Sequence, residues 1–212
     1  MKGLKSDCRR RDGAVYPAGW TIPVRPMGPR DCALVFGLQD ETLTVVKGAI
    51  EAVVAMAGHE MAEADVELGA NLMMFFCRDW AELPDVPNLD RLIPDLGPLC
   101  DRLAAADANQ YRIFRFDKAG AIKAAFVFLR IDDHLSAVPA DVLALSQAVQ
   151  IIVLWSDRAF EAISPLVDAG LGAQLRPEIG AVIRAGYAAV LPPVARDASH
   201  ALRLAARISA AG

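Results

Sequence analysis

The sequence predicts an α+β fold with a small mixed or antiparallel sheet, and three observations carry that prediction. Gln110 to Phe116 and Ala121 to Ile131 flank Asp117-Lys118-Ala119-Gly120, a turn with glycine where the backbone must go left-handed, so 110–131 reads as a β-hairpin. Neighbouring antiparallel strands argue against a purely doubly wound parallel sheet. The second observation is an almost wholly apolar stretch opened by Pro139, a natural first-turn residue, which predicts a central buried helix over 139–156. The third is the remainder of the chain, whose spacing predicts further helices at about 157–169, 177–190 and 197–209, a helical C-terminal half.

The other elements follow in order. Residues 1–31 hold Pro17, Pro23, Pro26, Pro29 and four glycines and read as an extended N-terminal arm, leaving 32–212 as a single domain. Ala33 to Leu38 has the length of a short strand. Asp40 is placed to cap a helix running to about Gly58, because Leu43, Val46, Ile50, Val53, Val54 and Ala57 share one face. Asn71 to Cys77 is apolar enough for a central strand. Pro84, Pro87 and Pro94 punctuate a loop before a helix from about Leu96 to Ala106. In the hairpin, Phe126, Val127, Phe128 and Leu129 are apolar on both faces, so the second strand must be covered on both sides.

A chain of 212 residues can bury roughly 70% of its unfolded surface and needs no metal or disulfide to fold. Hydrophobic residues make up 54% of it, which argues against disorder. The net charge of −4 gives no reason to expect a nucleic-acid partner, whose phosphates call for a basic surface. The basic opening, including Arg9-Arg10-Arg11, has no apolar stretch of secretory-signal length behind it. No window is long and apolar enough for a membrane span, so no membrane partner and a cytoplasmic location are expected. Cys8, Cys32, Cys77 and Cys100 form no C-x-x-C pair, and the last three read as small buried hydrophobes. No cofactor motif is present.

Chemistry is most concentrated in the central helix. Ser146, Gln147 and Gln150 are the polar residues of its middle; 146 and 150 lie one turn apart and 147 adjoins them. That is the spacing of H-E-x-x-H, in which two histidines bind zinc and the glutamate activates its water. Ser146-Gln147-Ala148-Val149-Gln150 holds neither residue type; neutral amides and hydroxyls are poor zinc ligands, and no metal is expected. Either the three polar groups mark a solvent-facing stripe, or they face the sheet or a cleft. In the second case they need internal partners, such as Asp79 or Asp132.

Ser146 to Asp157 (SQAVQIIVLWSD) resembles a helix reading approximately E-E-L-x-Q-A-L-G-L-P-N-D, keeping Gln150, Leu154 and Asp157. That helix belongs to a proteobacterial family, often exported or lipid-anchored, with a zincin-like, metallopeptidase-related arrangement. Gly19-Trp20-Thr21-Ile22-Pro23-Val24-Arg25 is similar to the family's R-W-x-x-P-V-R segment, and Ala70-Asn71-Leu72 and Gly120-Ala121-Ile122 have counterparts in order. The resemblance implies a zincin-like scaffold with Ser146, Gln147, Gln150 and Asp157 as its binding residues. Ser146 and Gln147 stand where the family's helix acids would be, and Val153 replaces its glycine, which implies that the acid chemistry is lost.

A second constellation lies at the strand ends, in Cys77-Arg78-Asp79-Trp80 and Asp132-Asp133-His134, where Cys77, Asp79 and His134 could form a nucleophilic triad. His59-Glu60 lacks the second histidine of a zinc helix and reads as a helix cap behind Gly58. The last helix gathers Ala201, Leu204, Ala205 and Ile208 on one face and His200, Arg203 and Arg207 on another, an amphipathic pattern that docks on its own domain. Two functions follow. One is a non-catalytic binding or accessory protein, without metal or cofactor, whose ligand is an unknown protein or small molecule. The other is a small-molecule hydrolase or transferase using Cys77, Asp79 and His134.

Overall fold

The computed structural model describes residues 30–61, 70–155, 159–160, 162–168, 170, 172–192, 194, 197 and 199–211. In chain order the elements are β1 (Arg30–Asp31), β2 (Ala33–Phe36), α1 (Asp40–Met56), β3 (Glu60–Met61) and β4 (Leu72–Cys77). A 3-10 turn over Trp80–Asp85 follows, then α2 (Leu89–Leu92), α3 (Leu96–Ala105), β5 (Gln110–Phe116), β6 (Ile122–Arg130), α4 (Asp133–Ser136) and α5 (Ala140–Ile152). The chain closes with β7 (Leu166–Asp168), β8 (Ala173–Leu175), α6 (Pro177–Gly186) and α7 (Ser199–Ala211). Most of the expected N-terminal arm, residues 1–29, lies outside the described residues; Arg30–Asp31 pair in parallel with Glu60–Met61.

The main sheet is mixed, in the order β2-β4-β6-β5, with β2, β4 and β6 parallel and β5 antiparallel to β6. The hairpin therefore pairs as the turn chemistry predicts, from Gln110 opposite Leu129 to Phe116 opposite Ile122. Gly120 closes it with φ of 93°, and the Asp117 carboxylate accepts the backbone N–H groups of Gly120 and Ala121 at 2.7 and 2.9 Å. A second glycine is fixed by sterics: Gly37, between β2 and α1, has φ of +84°, and a Cβ there would collide with the Phe76 carbonyl.

Every side chain from Ala125 to Leu129 is buried, so β6 needs cover on both faces and receives it. On one face Leu72, Met74, Ala125, Val127 and Leu129 pack against Val46, Ile50 and Val53 of α1 and Ala144, Ala148 and Ile151 of α5. On the other, Met73, Phe75, Phe126 and Phe128 pack against Trp80, Leu83 and the apolar side of α3. Phe36, Phe75 and Phe128 stack across three neighbouring strands with centroids 4.8 and 5.1 Å apart.

Three sequence expectations change in detail. The central helix ends at Ile152 rather than 156, because Val153 is extended (φ −130°, ψ 157°) while staying buried. Two side chains satisfy carbonyls of its last turn: Trp155 Nε1 donates to Val149 O at 2.7 Å and Tyr187 OH donates to Ile152 O at 2.7 Å. The helix expected at 157–169 is corrected, since Leu166–Asp168 is a strand paired antiparallel with Ala173–Leu175. Pro165 lacks the amide a helix interior needs, and Gly170 and Gly172 adopt φ of 79° and 113° in the connecting turn. On α1, Gln39 rather than Asp40 occupies the capping position, and Asp40 is the first helical residue.

The last helix docks on α6 and inserts Leu204 into the core, but His200 lies on its inward side, only 3% exposed. Both ring nitrogens are enclosed without a hydrogen bond. Burial, and then the Arg203 charge, push its pKa below the ordinary 6.5, against the opposing pull of Asp197. The unfolded chain takes up this proton as pH falls through about 6.5, whereas the folded chain resists it to lower pH. Folded stability is thus undiminished above that value and declines as pH falls from it towards the folded-state pKa. Denaturant titrations at pH 7.5 and 5.5 should show a larger drop for the native sequence than for His200→Leu; equal drops would show that His200 is not held neutral.

Candidate functional site

The polar residues of the central helix meet the hairpin. Successive strand side chains alternate between faces, so Gln110 and Arg112 of β5 share the face covered by α5. Register places them opposite Leu129 and Val127 of β6, both in the α1–α5 core. Gln147 projects from α5 into this seam and is 1% exposed. Its Oε1 accepts from Arg112 Nε at 3.1 Å and from Arg112 Nη2 at 2.6 Å. Its Nε2 donates to Gln110 Oε1 at 2.8 Å, and that oxygen also accepts from Arg112 Nη2 at 3.2 Å. A guanidinium has donors only, so both amide oxygens must turn towards it, and the orientation of both amides is fixed.

Arg112 is half-buried, and desolvation lowers its pKa to about 10, which still leaves it cationic at neutral pH. Among the described residues no carboxylate forms an ion pair with it. Among the described residues, the charge is held by two neutral amide oxygens.

Ser146 and Gln150, both half-buried, form a local pair beside this knot, with Gln150 Nε2 donating to Ser146 Oγ at 3.0 Å and to its carbonyl at 3.1 Å. Asp157, the fourth predicted binding residue, lies outside the described residues. The inward alternative for the helix therefore holds for Gln147, but its partners are Gln110 and Arg112 rather than Asp79 or Asp132.

Those two aspartates are committed elsewhere. Asp79 caps the 3-10 turn, accepting from Ala81 N at 2.9 Å, while Glu82 Oε1 accepts from Asp79 N at 3.0 Å, a reciprocal capping box. Asp132 caps α4 through Leu135 N at 2.8 Å and accepts from Asn109 Nδ2 at 3.0 Å; the Leu135 amide is the main reason its carboxyl is held below the usual range. Cys77 is buried with its thiol 3.6 Å from the Leu129 carbonyl. Burial first, and then the charge of Glu82, raise its pKa to about 12, so the thiolate a nucleophile requires is scarce at neutral pH. His134 is exposed, and no hydrogen bond links Cys77, Asp79 and His134. The strand-end cluster is a set of caps around a buried thiol. Among the described residues no three His, Cys, Asp or Glu side chains converge to hold a metal ion.

Gln110 and Arg112 are the site residues that sequence reasoning passes over. Their signal was the polar pair at i and i+2 on a strand predicted to lie beside a buried helix with polar residues of its own. Comparison of the chain with protein-family models, with curated proteins and with solved structures finds no match.

Removing the acceptor should be costly. Gln147→Leu leaves Arg112 short of two hydrogen bonds inside the seam and should lower unfolding stability by about 1–3 kcal/mol. Gln150→Ala, which removes only a local contact, should cost less than about 0.5 kcal/mol. Equal losses in chemical denaturation would refute the asymmetry.

Proposed function

We propose that this chain is a non-catalytic binding protein whose ligand contact is the seam between β5 and α5, on a scaffold related to a metallopeptidase-type helix that has lost its chemistry. The carrying observation is the Arg112 guanidinium, half-buried and held by Gln110 and Gln147 with no carboxylate paired to it among the described residues. A cation partly withdrawn from water without a counter-charge costs stability, and such charges are ordinarily paired. A ligand that supplies the missing charge gives the arrangement a purpose.

The chemistry of the seam favours holding over turnover. Its groups are a guanidinium, two amides, and the nearby hydroxyl and amide of Ser146 and Gln150. None accepts a proton readily at neutral pH, so none serves as general base. The degenerate-scaffold reading rests on the helix resemblance and on Gln147, which stands at the general-base position of the H-E-x-x-H spacing and is the member of the trio 146, 147, 150 turned fully inward. Replacing a carboxylate by its isosteric amide keeps the shape and removes the base. The hydrolase reading draws no support from the buried, raised thiol of Cys77.

The test is side-chain NMR of the full chain against a library of anions, cations, sugars and nucleotides, with ester and phosphomonoester turnover measured in parallel. The expected result is that one chemical class moves the Gln110, Arg112 and Gln147 side-chain signals without turnover. Turnover abolished by Cys77→Ser, about one zinc per chain in protein purified without chelator, or shifts confined to other regions would overturn the proposal.

A further inference from the structure

Resting on the reading of this seam as a ligand contact, we infer that the ligand presents a carboxylate, received by the unused donors of Arg112 and Gln110. The inference comes from which hydrogen-bonding capacity remains. Gln147 Oε1 already accepts two bonds and Gln110 Oε1 another two. Arg112 has used Nε and Nη2, and among the described residues no hydrogen bond forms at its Nη1. Among the same residues Gln110 Nε2 is likewise without a partner, its side-chain bonds both falling on Oε1. The knot turns its acceptors inward and leaves donors, together with a full positive charge.

Neither donor is fully enclosed. Among the described residues, the only fully enclosed side-chain nitrogen or oxygen atoms lacking a partner are the two ring nitrogens of His200, so neither Arg112 Nη1 nor Gln110 Nε2 is sealed from solvent. Both groups border one contact, the bond from Arg112 Nη2 to Gln110 Oε1 at 3.2 Å. A cation, an amine or a lone carbonyl would leave either the charge or several N–H groups unanswered. An anion answers both.

The count of charges selects the class of anion. One guanidinium balances one negative charge, and a carboxylate brings a single charge on two oxygens that can meet separate planar donors. A phosphate carries more charge and more acceptor oxygens than one guanidinium edge and one amide satisfy. Phosphate sites commonly add backbone N–H groups from a helix N-terminus, and at this seam α5 presents side chains from its middle and last turns. The side chain of Gln147 also marks where a carboxylate belongs: Gln147→Glu would place one against Arg112 from within the chain.

Acetate and benzoate serve as probes, compared with chloride, inorganic phosphate and tetramethylammonium at constant ionic strength. The readout is the chemical shift of the Arg112 guanidinium and Gln110 amide protons. The proposal expects saturable shifts with both carboxylates, and weaker ones with phosphate. In Gln147→Glu, whose new carboxylate satisfies Arg112 internally, the response should weaken about tenfold or more, the equivalent of losing one charge-assisted contact. Arg112→Lys, which keeps the charge and loses the planar edge, should also weaken it and guards against misfolding of either variant. Phosphate binding as strong as acetate, or an undiminished response in Gln147→Glu, would overturn the carboxylate assignment and leave the seam as a ligand contact. A response to tetramethylammonium alone would do the same. Should no compound of any class move these signals, both the inference and the reading beneath it fall.

Discussion

A strand with no polar face cannot lie at the surface of a molecule on either side, and β6 is such a strand from Ala125 to Leu129. Its backbone needs partners on both edges, which β4 and β5 provide, and its side chains need a helical layer on each face. The short hairpin turn forces β5 to be the antiparallel partner and leaves it at the edge of the sheet. The α1–α5 layer then has to cover β5 as well. The packing that hides Val127 thus sets Gln147 against Gln110 and Arg112.

Within that apolar layer the three-residue knot brings in a charge. Three hydrogen bonds of 2.6 to 3.1 Å tie an edge strand to the helix beneath it, and a fourth of 3.2 Å joins Arg112 to Gln110 within the strand. Their net contribution to stability is modest, because each replaces a bond to water, but leaving any of these groups unpaired in the seam is expensive. The knot therefore acts more as a constraint on register and helix rotation than as a source of stability: a slip of β5 by one residue would carry Arg112 to the opposite face and strand Gln147. Among the described residues, neutral amides keep the guanidinium in place and no carboxylate neutralises it. That distinguishes the arrangement from an ordinary internal ion pair.

Much of the architecture was legible in local sequence patterns. The Asp117–Gly120 turn, the double-sided apolar run of β6 and the apolar stretch behind Pro139 announced the hairpin, its burial and the helix under it. Parallel pairing of β2, β4 and β6 was not legible, because strand order depends on long-range packing. The small β7–β8 hairpin was missed because a periodicity of apolar residues outweighed the breaker signals of Pro165, Gly170 and Gly172. Of the site, the helix half was visible as polar residues in an apolar helix. Its strand half was hidden, since Gln110 and Arg112 alternate with Tyr111 and Ile113 like the outer face of any half-exposed strand. The orientation of His200 was misjudged on similar grounds: helical spacing assigned it to the outer face, whereas the docking of α7 on α6 turns it inward.

The account stands on direct coupling between the strand cation and the helix amide, and a double-mutant cycle of Arg112→Met and Gln147→Leu measures it. Each single change should destabilise the fold, since it strands the partner left behind, whereas the double change removes both polar groups together. The account predicts that the pair costs less than the sum of the singles by about 1–3 kcal/mol in denaturant unfolding. Strict additivity, with a coupling within about 0.3 kcal/mol of zero, would contradict it.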